Sequence, residues 1–290
     1  MKQADTHPYS PIGIFDSGYG GLTILRHIQQ QLPQYDYIYL GDNARAPYGT
    51  RSFDIVYRFT LEAVRHLFDS GCRLVILACN TASAKALRSI QQNDLPDIDP
   101  TRRVLGIIRP TAEAIGDITS NGHIGLLATP GTVRSESYLM EVAKLYPTFS
   151  VSQCECPMFV PLVENREHES IGADYFVSKY VNKLLESDPE IDTVILGCTH
   201  YPLLESKIRN AIDTHPLAQG RKVNVVCQGQ LTAASLADYL HRHPEIESRL
   251  SRGATTRYLT TENPDTFSDL ASMFMSAPVN ASHTTIPACR

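Results

Sequence analysis

The feature of this 290-residue chain that most restricts its fold is a rhythm of short, continuously apolar runs that stop at a small or polar residue, each followed by a longer stretch with helical spacing. The runs are Ile12 to Phe15, Tyr37 to Leu40, Leu74 to Ala78, Val104 to Ile108, Ile124 to Ala128, Val194 to Gly197 and Val223 to Cys227. A strand that is apolar on both faces has to be covered on both, as in parallel sheets flanked by crossover helices. Phe53 to Ser70, Ser135 to Tyr146, Ile171 to Ser187 and Leu231 to Arg242 repeat apolar residues every three to four positions and supply such helices. The pattern predicts an α/β fold with mainly parallel sheets.

An internal echo predicts how that fold is divided. Val75-Ile76-Leu77-Ala78-Cys79-Asn80-Thr81 matches Val194-Ile195-Leu196-Gly197-Cys198-Thr199-His200, and Ile12-Gly13-Ile14-Phe15-Asp16-Ser17 matches Ile124-Gly125-Leu126-Leu127-Ala128-Thr129. The two offsets are 119 and 112 residues (194 − 75 and 124 − 12). Such agreement predicts two similar α/β domains related by a rough two-fold. The last stretch, Ser276 to Arg290, is Ser, Thr, Ala and Pro without periodicity and reads as a loose tail.

Composition narrows the function classes. No run approaches the ~18 apolar residues of a membrane span, and the polar start Met1 to Pro8 lacks the apolar core of a signal peptide, so the expected location is the cytoplasm. Net charge is −5 and the 26 Lys and Arg are scattered, which argues against a nucleic-acid partner. Seven cysteines in a reducing compartment are expected to be buried, catalytic or metal-binding rather than cross-linked.

Ligands of open α/β sheets bind beyond the carboxyl ends of the strands, and the suggestive residues fall there. Asp16-Ser17-Gly18-Tyr19-Gly20-Gly21 follows the first strand, with glycines that let backbone amides approach a ligand. It is no dinucleotide fingerprint, since position 23 is Thr and Asp16 would repel a pyrophosphate. Cys79 and Cys198 each lie between an apolar strand and an expected helix start, where the helix dipole would lower a thiol pKa. His200, two residues beyond Cys198, is placed to poise it. Cys154-x-Cys156 lacks the further ligands of a zinc site, so no metal is expected. A cysteine hydrolase built on Cys198 and His200 would leave Cys79 without a role.

Five ordered segments give these residues a context: Gly13 to Leu22, Gly41 to Gly49, Ala78 to Ser83, Phe159 to Glu164, and Leu196 to Leu204 with its Cys198-Thr199-His200-Tyr201-Pro202. From about Ile12 to Phe274 the chain resembles the glutamate racemases, the cofactor-independent branch of the aspartate/glutamate racemase superfamily. The resemblance implies an isomerase that interconverts L- and D-glutamate without cofactor or metal and supplies D-glutamate for peptidoglycan. It implies a discontinuous plan, residues 1–108 with 229–290 in one domain and 109–228 in the other, and an active site in the cleft between them.

The same resemblance implies that Cys79 and Cys198 are the acid/base pair, Cys79 deprotonating D-glutamate and Cys198 L-glutamate. Asp16 would assist Cys79, while Glu164 and His200 would assist Cys198. Substrate contacts carry over to Asp16, Ser17, Tyr48, Gly49, Asn80, Thr81, Thr129, Thr199 and His200. The partner implied is the small-molecule substrate, a homodimer being compatible with it; no nucleic acid or membrane is implied. The chemistry is coherent, because inverting Cα needs a base on one face and an acid on the other.

Overall fold

The computed structural model describes residues 9–288. The polar start Met1 to Pro8 and the end of the tail, Cys289 and Arg290, lie outside the described residues. The strands are β1 (Ile12–Asp16), β2 (Tyr37–Gly41), β3 (Leu74–Leu77), β4 (Arg103–Gly106), β5 (His123–Ala128), β6 (Ser150–Glu155), β7 (Thr193–Gly197), β8 (Asn224–Val226), β9 (Thr256–Thr260) and β10 (Ala281–His283). They form a six-stranded sheet in the order β10-β9-β2-β1-β3-β4 and a four-stranded sheet in the order β6-β5-β7-β8, parallel at every pairing.

The echo in the sequence is an echo in space. The run β2-β1-β3-β4 of the first sheet has the order of the whole second sheet, β6-β5-β7-β8. Register agrees as well: Gly13 lies opposite Val75, and Gly125 lies opposite Val194. Those are the residue pairs that the two sequence matches equate. Two similar parallel α/β units are therefore present, and the chain crosses between them after β4 and again after β8.

The central strands of each sheet are buried because they are apolar on both faces. All of β1, β2, β3 and β7 is buried. Helix Phe53–Asp69 turns Val56, Leu61, Val64, Leu67 and Phe68 inward, and each such side chain contributes ~1.5–3 kcal/mol by leaving water. Helix Leu22–Gln31 packs on helix Gln228–Arg242 so closely that a Cβ on Gly229 would lie 2.1 Å from the His27 ring. That contact fixes the start of the second helix against the first.

Several boundaries differ from the sequence expectation. The apolar run Val104 to Ile108 is strand only to Gly106; Ile108 already begins helix Ile108–Ala114, and a short apolar run has no period that separates the two. The expected strand Val223 to Cys227 is Asn224–Val226. Half-buried β6 and β9, and helix Leu22–Gln31, were not foreseen, because polar residues interrupt their apolar pattern. The tail is not loose where it is described: β10 pairs with β9, Val279 is buried, and Thr284 Oγ1 lies 2.9 Å from His66 Nε2. Backbone pairing at a sheet edge needs little apolar periodicity, and one buried valine anchors it. Among the described residues no helix is long and apolar enough to cross a membrane.

Candidate active site

Asp16, Ser17, Tyr48, Gly49, Cys79, Asn80, Thr81, Thr129, Glu164, Cys198, Thr199 and His200 all line one cavity of about 530 Å³. It opens where the carboxyl ends of β1 and β3 face those of β5 and β7. Asp16 closes β1, Cys79 follows β3 by two residues, Thr129 follows β5, and Cys198 follows β7. The residues that the sequence singled out are thus brought together by the repeated topology.

Cys79 and Cys198 line the same cavity with opposite company. Cys79 Sγ lies 3.5 Å from Ser17 Oγ and accepts the Ala82 backbone N–H at 3.5 Å. Burial, and then the carboxylate of Asp16, push its thiol up to about 12, against the pull of Ser17 and Ala82. The sequence expectation that a helix start would lower this pKa is corrected: the helix, Asn80–Lys85, is one and a half turns long, and dehydration outweighs its two donors. After Cys198 the chain enters a 3₁₀ turn, Tyr201–Leu204, rather than the expected α-helix.

Asp16 is fully buried and accepts the Gly18 N–H at 2.8 Å. Burial raises its pKa, while His200 and the Gly18 and Gly21 amides oppose the rise. Asp16 and Cys79 therefore share surroundings too dry to hold two negative charges easily.

On the other side, Cys198 Sγ lies 3.9 Å from His200 Nδ1, and His200 Nε2 lies 3.0 Å from Glu164 Oε1. Burial would lower the imidazole pKa, but the contacts with Cys198 and Glu164 prevail and hold it up at about 10. The ring is an imidazolium at neutral pH and sits edge-on to Phe274, 5.4 Å between centroids. The two loops meet at Gly20, where a Cβ would fall 2.2 Å from Thr199 Oγ1 and 2.4 Å from His200 Nδ1. Only glycine allows this approach.

Two polar residues are held in ways the sequence did not suggest. The Tyr48 hydroxyl donates to Asp42 Oδ2 at 2.5 Å, and Asp42 also takes Arg45 Nε at 2.6 Å and Thr261 Oγ1 at 3.0 Å, which fixes the Gly41 to Gly49 segment as a wall. Asn80 Nδ2 donates to Gln228 Oε1 at 2.6 Å, and the Tyr138 hydroxyl donates to Asn80 Oδ1 at 2.8 Å. Thr81, Thr129 and Thr132 form a hydroxyl cluster with spacings of 3.1 to 3.5 Å. Asn43, Cys156 and Glu262 also line the cavity. Asn43 lies in the Gly41 to Gly49 segment, whose pattern is the signal that points to it; Glu262 follows β9, whose polar pattern gives none.

Among the described lining residues there is no Lys or Arg, so an anionic ligand would be met by hydroxyls, amides and the imidazolium. Among the described residues, no group of three or more His, Cys, Asp or Glu is placed to hold a metal ion.

Two thiols in dissimilar surroundings facing one polar cavity across a duplicated α/β frame suit a class of enzymes that move a proton at a single carbon between two faces. The sequence pattern described as Asp/Glu/Hydantoin racemase matches residues 12–236, and the chain belongs to that family. It is an isomerase. A protein named glutamate racemase from Ruegeria sp. (strain TM1040) is 41% identical over 274 residues, covering 91% of this chain and 96% of the relative. The crystal structure of a glutamate racemase isoform from Bacillus anthracis superposes with a TM-score of 0.85 at 32% identity, covering 98% of this chain and 100% of that one. A glutamate racemase from Francisella tularensis subsp. tularensis SCHU S4, solved in complex with D-glutamate, gives a TM-score of 0.82 at 28% identity, covering 97% and 98%.

Proposed function

We propose that this chain interconverts L- and D-glutamate by two-thiol proton transfer at Cα, without cofactor, and so supplies D-glutamate for peptidoglycan in the cytoplasm. The observation that carries the reading is the pair Cys79 and Cys198, at equivalent strand ends of a repeat, lining one cavity with a carboxylate beside one thiol and an imidazolium beside the other. The resemblance of the whole chain to proteins named glutamate racemase supports glutamate as substrate.

In the L-to-D direction Cys198, as thiolate beside the His200 imidazolium, takes the α-proton from one face. Cys79, as thiol, delivers its proton to the opposite face. The turnover leaves Cys198 as thiol and Cys79 as thiolate, the state that runs D to L. Charge that develops on the α-carboxylate is met by Ser17, Asn80, Thr81 and Thr199, groups already held in place before substrate arrives. Glu164 keeps His200 charged, and Asp16 is the group that can hold a proton while Cys79 is thiolate. Tyr48, Gly49 and Thr129 form the wall for the rest of the substrate.

On this reading the lobes are residues 1–108 with 229–290, and residues 109–228, each carrying one thiol. The test is incubation with L-glutamate in D2O without added cofactor, followed by NMR and polarimetry. Loss of the α-proton signal together with loss of optical rotation is the expected result. Turnover of aspartate but not glutamate would move the chain to another specificity in the family, and unchanged spectra would refute the reading.

A further inference from the structure

We infer that Gln228 is a positioning residue for the proposed reaction: a closed ring of hydrogen bonds through Asn80, Gln228 and Tyr138, built where the chain crosses between its sheets, aims the free N–H of Asn80 at a substrate carboxylate. The inference rests on the glutamate reading above and adds to it a residue that lines no part of the cavity.

The ring is complete in one sense of rotation. Asn80 Nδ2 donates to Gln228 Oε1 at 2.6 Å, Gln228 Nε2 donates to the Tyr138 hydroxyl at 2.8 Å, and that hydroxyl donates to Asn80 Oδ1 at 2.8 Å. All three side chains are at most 3% exposed, so water competes for none of these bonds. Burial pushes the Tyr138 hydroxyl pKa up, which keeps it a donor.

A backbone carbonyl sets the direction. Gln228 Nε2 also reaches Ile107 O at 3.2 Å and Thr111 Oγ1 at 3.0 Å. A carbonyl only accepts, so the end of the Gln228 amide beside Ile107 has to be the nitrogen. Its oxygen must then face Asn80, which has to present Nδ2. Asn80 Oδ1 is left facing Tyr138. Flipping either amide would set oxygen against oxygen in a buried place, at the cost of an unmade hydrogen bond. Asn80 Nδ2 carries a second hydrogen, and Asn80 lines the cavity next to Cys79, so that hydrogen is the donor offered to a ligand.

The location couples the ring to the frame. Ile107 and Thr111 lie on the first crossover between sheets, and Gln228 opens the helix of the second. Tyr138 comes from helix Ser137–Leu145, which follows β5, while Asn80 follows β3. Both crossovers and both units thus meet behind one substrate-facing amide.

The experiment compares Gln228→Met and Tyr138→Phe with the unchanged chain in steady-state racemisation of L- and D-glutamate. Tyr37→Phe serves as a control, because it removes an equally buried hydroxyl, bonded to Leu32 O at 2.6 Å, far from the cavity. Each ring variant is expected to raise KM and to lower kcat/KM about 10-fold, with part of the loss in kcat because Asn80 meets charge that grows in the transition state. The double variant is expected to be no worse than the single ones, since either opens the ring. Tyr37→Phe should lower the melting temperature and leave KM where it was.

Should Gln228→Met fail to fold, Tyr138→Phe carries the test alone, because it removes a single oxygen. Ring variants with unmoved KM, or with the same KM change as Tyr37→Phe, would overturn the inference while the glutamate reading stands. Failure of the unchanged chain to racemise glutamate would sink that reading first and the inference with it.

Discussion

Cys79 and Cys198 occupy the same place in two copies of one design, yet their surroundings have opposite polarity. Behind Cys79 stands Asp16, buried, and the thiol is pushed up to about 12. Behind Cys198 stands His200, charged at neutral pH and braced by Glu164. The repeat fixes where the sulfurs are; the residues that do not repeat set the charge beside each one. A symmetric pair would have no preferred proton arrangement, whereas here burial and Asp16 keep Cys79 a thiol and the His200 imidazolium stands 3.9 Å from Cys198 Sγ. On the proposed mechanism, that is the arrangement in which L-glutamate reacts first.

The strongest way to break the comparison is to remove one sulfur at a time. Cys79→Ser and Cys198→Ser should each lower racemisation by ~100- to 10,000-fold, because serine is too weak an acid to replace either thiol near neutral pH. In D2O, Cys79→Ser should still exchange the α-proton of L-glutamate, and Cys198→Ser that of D-glutamate, as followed by NMR. Loss of activity in only one variant would replace the two-thiol scheme with single-cysteine chemistry.

Next in size is removal of the charge on the Cys198 side. His200→Asn should reduce kcat/KM by about 100-fold at neutral pH, with partial recovery as pH rises and hydroxide does what the imidazolium did. The two enantiomers are equal in free energy, so kcat/KM has to fall equally in both directions; the asymmetry will appear in kcat and KM taken separately. Circular dichroism of glutamate across a pH series measures this. A pH profile identical in shape to that of the unchanged chain would remove His200 from its role beside the thiol.

Smaller effects come from the place where the halves touch. Gly20→Ala puts a methyl group 2.2 Å from Thr199 Oγ1 and 2.4 Å from His200 Nδ1, so the Cys198 loop has to move. About a 10- to 100-fold loss of kcat is expected, since displacements of about 1 Å near reacting groups cost this much. Gly18→Ala meets nothing nearer than 3.6 Å and should be close to neutral in stability. Equal behaviour of the two variants in kinetics and thermal melting would show that contact at Gly20 does not position His200.

How much of this was legible in the sequence follows the same division. The apolar strands, their duplicated ends and the two cysteines are local signals, and β3 and β7 stand within a residue of where they were expected. The polarity around the thiols is a matter of burial and of neighbours far apart in the chain. A helix start beside Cys79 suggested a lowered pKa, but dehydration and Asp16 reversed the sign. Gln228 and Glu262 left no local trace, because each acts through a contact whose partner is more than a hundred residues away or through a strand whose pattern is polar. Asn80 and Tyr48 line the cavity, while their hydrogen bonds to Gln228, Tyr138 and Asp42 became visible only with the fold.

The smallest effect expected is thermodynamic, and it isolates the charged half from catalysis. His200 titrates near 6.5 when unfolded and at about 10 when folded, so the folded protein holds the extra proton throughout that interval. Its stabilising contribution is complete below about pH 6.5 and is lost as pH rises through about 10. The Cys79 thiol, raised from 9.0 to about 12, adds a decline of the same sign at higher pH. Melting temperature should therefore fall between pH 6.5 and 10, by at least ~2 °C, which is what about 1 kcal/mol produces in a domain of this size. His200→Asn should flatten the slope over that interval, whereas Cys79→Ser should leave it and flatten only the region above pH 9. If both substitutions left the slope unchanged, the contrast between the two halves would not extend to the proton that His200 holds.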